Sequence, residues 1–467
     1  MAETQHDLVI IGSGPGGYVA AIRAGQLGLD TFVVEKDPFL GGTCLHRGCI
    51  PTKALLHTAD LLHQAHDGAR FGVVCGEVKL DLKAAQAHKA KVVTKNSKGV
   101  EFLFRKNKVA WAQGTARFAG NRTVEIARPD GSVDKRLAKN IILATGSRCG
   151  DLPFVSADGD RVINSDHILE LAEVPPRLLV LGAGAVGMEF ASIFARFGSQ
   201  VTVVELLDRV LPLEDPDVSA EVNKAFRRQG ITVYTATRVE EAKVEGGVVR
   251  CKAVTAKGEM LQLEAERLLL AVGREANFKG VGLENTKVQI ERGRIVVDEF
   301  CRTHEEGVYA IGDLLRTPWL AHVASMQGVL AVEHIAGADP RPIDYDRVPS
   351  CTYCWPEAAS IGLSEPKARE AGYDVRTGVF PFSASSKASI LGESAGFVKI
   401  VAEAKYDEIL GVHIVGPHAT ELIAEAEAAL RGELTAEDLI HTIHAHPTLH
   451  EAIHEAAEGV HGQMIHF

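Results

Sequence analysis

Two cysteines five positions apart, Cys44 and Cys49, stand in the run GGTCLHRGCIPTK. Thiols this close either staple a small loop or exchange electrons. The loop is so short that chain-entropy arguments give its disulfide only about 2 kcal/mol of stabilisation. A chain of 467 residues, 46% of them hydrophobic, buries a large core without that help. Electron exchange is therefore the favoured reading of the pair. The thiolate attacks and leaves in such exchange, so two neighbouring thiols can divide the work: one forms a mixed disulfide with a substrate and the other passes electrons on.

The other six cysteines do not form a disulfide framework. Cys75, Cys149, Cys251 and Cys301 are isolated and read as ordinary reduced thiols. Cys351 and Cys354 make a CxxC in SCTYCWPEAAS. A second redox pair there is open, with two reduced thiols at the start of the last domain favoured. The net charge of −11, without a basic run, argues against a nucleic-acid partner. The start MAETQHDLVIIG has no signal-peptide pattern, and apolar runs such as LLVLGAGAVGM are short and broken by glycine, which argues against a membrane span. The expected location is the bacterial cytoplasm, or the mitochondrial matrix after removal of a transit peptide.

A redox thiol pair needs an electron acceptor, and the residues upstream of it supply a site for one. The apolar run DLVIIG leads into Gly12-Ser13-Gly14-Pro15-Gly16-Gly17, then a helical stretch, then TFVVE ending at Glu35. In this strand, glycine turn, helix, strand, acid order, Gly12 allows the tight turn and Gly14 lets the backbone approach a pyrophosphate. Gly17 lets helix and strand pack closely, and Glu35 can accept from ribose hydroxyls. The pattern returns at Gly182, Gly184, Gly187 and Glu205, each 170 residues beyond its counterpart (182 − 12, 184 − 14, 187 − 17, 205 − 35). One such signature is weak evidence; two with full context and a shared offset imply two bound dinucleotides. A flavin, FAD, fits the first site, beside the cysteines, because the pair needs an acceptor that stays in place. The second then takes a mobile nicotinamide. Glu205 favours a free 2′-hydroxyl, hence NAD, while Arg209, four residues on, leaves NADP open.

Further segments extend this α/β pattern. IILATGS and LLLAVGR read as buried strands leaving nucleotide domains. GVYAIGDLL ends a strand at Gly312-Asp313, where an acid suits a sugar or ribityl hydroxyl. After about residue 348 the chain alternates strand-like runs with a helix, as an α+β domain does. The expected fold is α/β, with two Rossmann-like dinucleotide-binding domains and a C-terminal α+β interface domain. The expected division is an FAD-binding domain over 1–149, an NAD-binding domain over 150–270, a central domain over 271–347 that completes the FAD site, and an interface domain for dimerisation over 348–467.

Taken together, GGTCLHRGCIPTK, the two glycine signatures, GVYAIGD and the C-terminal HAHPTLHE resemble the pyridine nucleotide–disulfide oxidoreductases over essentially the whole chain. Within that family the pattern is most similar to the members that oxidise protein-bound dihydrolipoamide and reduce NAD. The resemblance implies FAD at the first site, NAD at the second, and a homodimer with active sites shared between subunits. It implies that Cys44 is the thiol that meets the substrate disulfide and that Cys49 lies against the flavin. It matches Lys53 and Glu189 to an ion pair near the flavin ring, and Asp313 and the Ala321-His322 backbone to flavin contacts. It makes His446 the base, with Glu451 its carboxylate partner, both supplied by the opposite subunit. The implied partner is the lipoyl domain of a 2-oxoacid dehydrogenase or glycine-cleavage complex, with the chain a separate subunit.

The residue types suit these roles. Histidine takes protons near neutral pH, and Glu451, about a helical turn beyond a helix start expected at Pro447, can hold the ring. A cation at Lys53 would stabilise a thiolate or a reduced flavin, and Glu189 in the first turn of its helix also suits the helix dipole. Seven of the nineteen histidines lie between 441 and 466. His450 and His454 have i, i+4 spacing, but no further ligand completes a metal site, and a solvated helix face is expected. His444 lacks the Pro and Glu context of His446. Cys354-Trp355 stands where the family commonly has Thr-His. Other members fit less well: no cysteine pair follows His446 as in mercuric reductase, no arginine cluster follows Glu205 as in glutathione reductase, and a soluble transhydrogenase would lack the thiol pair. A reductase of another small disulfide, or a non-catalytic flavoprotein scaffold, are the alternatives.

Overall fold

The computed structural model describes residues 4–467, which divide into two compact units. The first takes the chain up to Ala54, then Ala84–Gly150 and Gly273–Tyr345; the second takes Leu55–Lys83, Asp151–Val272 and Asp346–Phe467. Cuts at 150/151, 272/273 and 345/346 lie within two residues of the boundaries expected from sequence, at 149/150, 270/271 and 347/348. The separation of residues 55–83 from the first segment was not expected. The fourfold division by function remains a proposal.

The first unit is built on a parallel sheet. Strand Thr4–Ile11 lies between Thr31–Glu35 and the long strand Val133–Leu143, and Ala110–Gln113 extends the sheet beyond Thr31–Glu35. The last residues of Val133–Leu143 also pair in parallel with Val308–Ala310, while its first residues turn antiparallel to Thr123–Ala127. The centre is covered on both faces, so Leu8–Ile11 and Ile141–Leu143 are buried and the sequence is continuously apolar there. Helix Pro15–Gln26 starts with proline at its first position and packs its small residues on helix Ala321–Ile335. A side chain on Gly328 would stand 2.5 Å from the Gly16 carbonyl oxygen, so both residues must be small for the helices to meet.

The second unit repeats the plan and adds to it. Five parallel strands run in the order Thr232–Tyr234, Gln200–Val204, Arg177–Leu181, Arg267–Leu270, Val162–Ile163. A three-stranded antiparallel meander, Thr237–Glu245, Val248–Thr255 and Met260–Ala265, follows. Residues beyond 348 form an antiparallel five-stranded sheet in the order Ser350–Thr352, Glu357–Gly362, Ile409–Gly416, Phe397–Glu403, Val375–Pro381. Helices Ala419–Arg431 and Glu451–Val460 pack on this sheet. The fold is thus the expected two Rossmann-like arrangements with a C-terminal α+β element.

A buried ion cluster ties this last sheet to the segment before helix Pro216–Arg228. Lys399 Nζ lies 3.1 Å from Asp215, 2.6 Å from Asp217 and 2.9 Å from Glu365, with Lys399 and Asp215 both buried. Burial disfavours the ammonium, but its bonds to Asp217, Glu365 and Asp215 prevail and hold Lys399 above its ordinary value. Burial likewise opposes ionisation of Asp215, but the Asp217 N–H, His413, Lys399 and the Glu365 N–H hold it below the usual carboxylate range. A depressed carboxylate stabilises above its unfolded pKa and loses that stabilisation as pH falls through its folded value. A raised ammonium stabilises below its unfolded pKa and loses it as pH rises through its folded value. The cluster therefore acts fully between about pH 4 and about pH 10. Lys399→Met leaves Asp215 buried without its cation and should cost about 3–5 kcal/mol in a urea titration at pH 7. The deficit should shrink below about pH 4 as Asp215 takes a proton; a deficit unchanged from pH 3 to pH 7 would show that the charges are not the cause.

Candidate active site

The first glycine turn has the geometry that its residues require. Gly12 has φ +103°, and a side chain there would meet the Ala144 carbonyl oxygen at 2.3 Å. A side chain on Gly17 would lie 2.0 Å from the Gly12 carbonyl oxygen, so helix and turn touch through backbone alone. Gly14 caps the helix and its missing side chain faces open space, as the cradle for a pyrophosphate requires. Glu35, at the end of its strand, accepts from Ser13 N–H at 2.8 Å, Ser13 Oγ–H at 2.7 Å and Asp37 N–H at 3.0 Å. Both of its oxygens already hold the turn, with lone pairs left for a ribose.

The second turn reproduces the first. Gly182 has φ +103°, and its side chain would meet the Ala271 carbonyl oxygen at 2.4 Å. A side chain on Gly187 would lie 2.0 Å from the Gly182 carbonyl oxygen, and Gly184 caps helix Ala185–Arg196 facing open space. Glu205 accepts from Ala183 N–H at 2.6 Å and Leu207 N–H at 2.8 Å. Both cradles thus fit dinucleotide phosphates: a bare backbone edge, a helix N-terminus and an acid at the strand end.

Ser13, which sequence reasoning passed over, connects the first cradle to the thiols. Besides holding Glu35, it receives Gly41 N–H on both its carbonyl and its hydroxyl oxygen, each at 3.1 Å. A side chain on Gly42 would lie 2.5 Å from the Gly14 Cα. The redox segment therefore starts on the nucleotide turn itself. It forms a short helix, Gly42–Arg47, breaks at Gly48, and restarts as helix Cys49–Asp67.

The two cysteines are half-buried and joined by a side-chain hydrogen bond. That bond to Cys49, then burial, raises the Cys44 thiol well above the ordinary range, while the charge of Lys53 pulls it down. Such a pair gives up one proton far more readily than two. A thiolate on Cys49 would stand at the N-terminus of a 19-residue helix, where the dipole favours it.

On the same unit as these thiols, Asp313 Oδ2 accepts from Ser147 Oγ–H at 2.5 Å, and Arg274 Nε–H donates to the same hydroxyl at 2.7 Å. Gln327 is buried with every bond used. Its Oε1 accepts from Gly312 N–H at 2.7 Å, and its amide donates to Thr317 Oγ1 at 3.0 Å and to the Tyr345 hydroxyl at 2.9 Å. Ala321 opens the helix packed on Pro15–Gln26, and Ser325 Oγ–H from that helix reaches the Pro15 carbonyl at 3.4 Å. The helix that Ala321 opens thus packs on the helix of the first glycine turn, and a side chain on Gly16 would meet Ile311, two residues before Asp313. Ser147, Arg274 and Gln327 carry no motif signal that could have marked them.

His446 and Glu451 belong to the second unit. His446 Nδ1–H donates to Glu451 Oε1 at 2.8 Å, which leaves Nε2 as the acceptor, and the imidazole is exposed. Burial would raise the Glu451 carboxyl, but the Thr448 N–H and His446 bonds prevail and lower it. The helix expected at Pro447 instead starts at Glu451, because that carboxylate, at the first helical position, reaches back to Thr448 N–H and leaves residues 447–450 outside. His446–Pro447 is a cis peptide bond. Glu189 lies in the second unit, and its Oε1 accepts from Tyr353 N–H at 3.0 Å. Lys53 lies in the first, so its pairing with Glu189 remains a proposal. His450 pairs with Glu425 and His454 with Glu458, and among the described residues no group of three or more His, Cys, Asp or Glu could hold a metal ion. No helix among them is long and apolar enough to cross a membrane.

The CxxC does not look like a second redox pair. Cys354 is buried, donates its S–H to the Pro356 carbonyl at 3.1 Å, and is held by burial above the range in which a thiolate forms. Burial likewise pushes Cys251 and Cys301 up to about 12. Cys75 is exposed. Iodoacetamide labelling at pH 8 with peptide mapping should therefore modify Cys75 at once and Cys44 or Cys49 only after reduction, and should leave Cys251, Cys301 and Cys354 unmodified. A mapped Cys351–Cys354 disulfide would contradict this.

Family models for the pyridine nucleotide-disulphide oxidoreductases match residues 6–328, and for their dimerisation domain residues 348–457. A dihydrolipoyl dehydrogenase of Bacillus subtilis is 45% identical over 99% of this chain and all of its own length. A mitochondrial dihydrolipoyl dehydrogenase of Pisum sativum is 42% identical over 99% of this chain and 93% of its own. The crystal structure of LpdA from Mycobacterium tuberculosis superposes with a TM-score of 0.89 at 28% identity, covering 97% of this chain and 99% of that one. The chain belongs to the pyridine nucleotide-disulphide oxidoreductase family.

Proposed function

We propose that Cys44 and Cys49 oxidise the dithiol of a lipoyl group carried on a partner protein, with NAD as the final electron acceptor. The observation that carries this reading is the hydrogen-bonded thiol pair hung directly on a dinucleotide turn through Ser13. The chain is an NAD-dependent flavoprotein disulfide oxidoreductase with FAD and NAD(H) as cofactors, and it works as a homodimer. FAD, when bound, accepts two electrons from the thiol pair and delivers them to NAD⁺. Gly12, Gly14, Gly17, Glu35, Asp313 and Ala321 would hold it, with Lys53 beside its ring, and Gly182, Gly184, Gly187 and Glu205 would hold NAD.

The chain's own residues account for the protons and the disulfide exchange. His446 of the partner subunit, its Nδ1–H fixed on a carboxylate, takes a proton from one substrate thiol at Nε2. The substrate thiolate attacks the Cys44 sulfur of the Cys44–Cys49 disulfide; that S–S bond breaks and Cys49 leaves as the thiolate. The second substrate thiol then attacks its own neighbour in the mixed disulfide, and its proton goes to Cys44, which leaves as the thiol. The substrate has lost two electrons and two protons: the two cysteines hold the electrons, His446 of the partner subunit holds one proton and Cys44 the other. The partner is the lipoyl domain of a 2-oxoacid dehydrogenase or glycine-cleavage complex. Cysteines that must cycle through the dithiol suit a reducing compartment, the bacterial cytoplasm or the mitochondrial matrix.

Anaerobic assays should give turnover with dihydrolipoamide and NAD and little with glutathione and NADP; the reverse preference would overturn the reading. His446→Ala should lower lipoamide turnover by about 10²- to 10⁴-fold while the protein stays yellow; retained turnover would remove the base assignment. Gly17→Val and Gly187→Val separate the two cradles. The first should yield protein with little flavin, and the second should keep the flavin and raise KM for NAD at least about tenfold, the equivalent of 1.4 kcal/mol. Loss of flavin from Gly187→Val alone would reverse the assignment of the sites.

A further inference from the structure

Residues 442–450, which carry His446, have no regular structure between helices Ala436–His441 and Glu451–Val460. A base must still be held to a fraction of an ångström, so side chains must supply what the backbone does not. One carboxylate does so from outside the segment. Glu425, on helix Ala419–Arg431, places Oε1 2.6 Å from His444 Nε2 and Oε2 2.8 Å from His450 Nδ1. Its two oxygens thus grip the residues two before and four after His446.

The grip is firmer than an ordinary surface pair. The His444 side chain is 8% exposed, and its other ring nitrogen, Nδ1, faces the Thr442 carbonyl oxygen at 2.8 Å. Both nitrogens of this ring are engaged, so it cannot turn without breaking both contacts. His450 directly precedes the helix whose first residue is Glu451, so the second arm anchors the chain next to the carboxylate partner of His446. Between the arms, Thr448 Oγ1–H donates to the Ala445 carbonyl at 2.8 Å. Among the described residues the His446 side chain bonds only to Glu451, and it is 72% exposed.

We propose that Glu425 is a positioning residue: by clamping His444 and His450 it fixes the segment that aims His446 at the substrate thiol. This rests on the reading of His446 as the base. It also gives His444 and His450, unassigned by the redox chemistry, a common task.

The test is a double-mutant cycle on the flavin-loaded dimer with Glu425→Ala and His446→Ala. Two activities are read: dihydrolipoamide oxidation with NAD, and NADH oxidation by a quinone, which needs no base. Glu425→Ala should lower kcat with dihydrolipoamide about 10- to 100-fold, with little change in KM and with quinone reduction unchanged. In the His446→Ala background it should cause no further loss beyond about twofold. Equal fractional losses in both backgrounds, a loss of quinone reduction in parallel, or unaltered lipoamide turnover would each overturn the clamp. Normal turnover by His446→Ala alone would instead overturn the base reading, a separate and recognisable result. If Glu425→Ala does not retain flavin and dimeric size, Glu425→Gln is used in the same cycle. It keeps the volume and one acceptor, and should give a smaller loss that also vanishes without His446.

Discussion

Both dinucleotide cradles depend on two pieces of backbone meeting where no side chain can stand. The Gly12 carbonyl oxygen occupies the place where a side chain on residue 17 would begin, and the Gly182 oxygen does the same at residue 187. Each contact sets a helix N-terminus directly over the end of a strand, so that the phosphate-facing edge is bare amide. The acid at the next strand end then closes the turn from the other side, Glu35 through Ser13 and Glu205 through Ala183. The two sites, 170 residues apart, share almost the same geometry, including the backbone bond from residue 41 or 211 to the residue after the first glycine.

What is attached to the first site makes it a redox centre. Ser13 holds Glu35 with its donors and Gly41 with its acceptors, and residue 42 fits against Gly14 only because it is itself a glycine. The thiol segment thus inherits its position from the nucleotide turn. At the second site Ala183 takes the place of Ser13: its carbonyl still receives Leu211 N–H at 2.8 Å, as the Ser13 carbonyl receives Gly41 N–H, but it has no hydroxyl to add a second bond. A single residue difference between otherwise matching turns therefore accompanies the difference between a site built around thiols and one left open for a mobile dinucleotide.

The elements with short-range rules were legible in the sequence. Glycine spacing, apolar strands and the terminal acids read correctly because each depends on local sterics, and the shared offset removed the ambiguity of a single motif. The start of the last helix was misjudged: proline suits a first helical turn, but the Glu451 carboxylate caps Thr448 and moves the start to residue 451. Ser147, Arg274, Gln327 and Glu425 were invisible for a different reason. Each acts by a hydrogen bond to a residue at least 15 positions away, and Ser, Arg, Gln and Glu occur too often for their types to signal it. The histidine-rich tail, expected as a solvated helix face, forms imidazole–carboxylate pairs in which Glu425 serves both His444 and His450.

The division of labour follows from what each group can do. Sulfur accepts and releases electrons, but the raised Cys44 thiol keeps its proton and does not serve as a base near neutrality. Imidazole stores a proton near neutrality but carries no electrons. Dithiol oxidation needs both at once, and the chain places them on elements with different demands. The thiols sit where a helix N-terminus and a flavin can act on them, in a segment braced by the nucleotide turn. The imidazole sits on an irregular, exposed stretch that a second molecule can reach, because a substrate arriving on another protein must meet it from outside. Such a stretch has no intrinsic stiffness. A clamp from a neighbouring helix is the least costly way to combine that access with accurate aim, since it holds the ends of the segment and leaves the middle free to face the substrate.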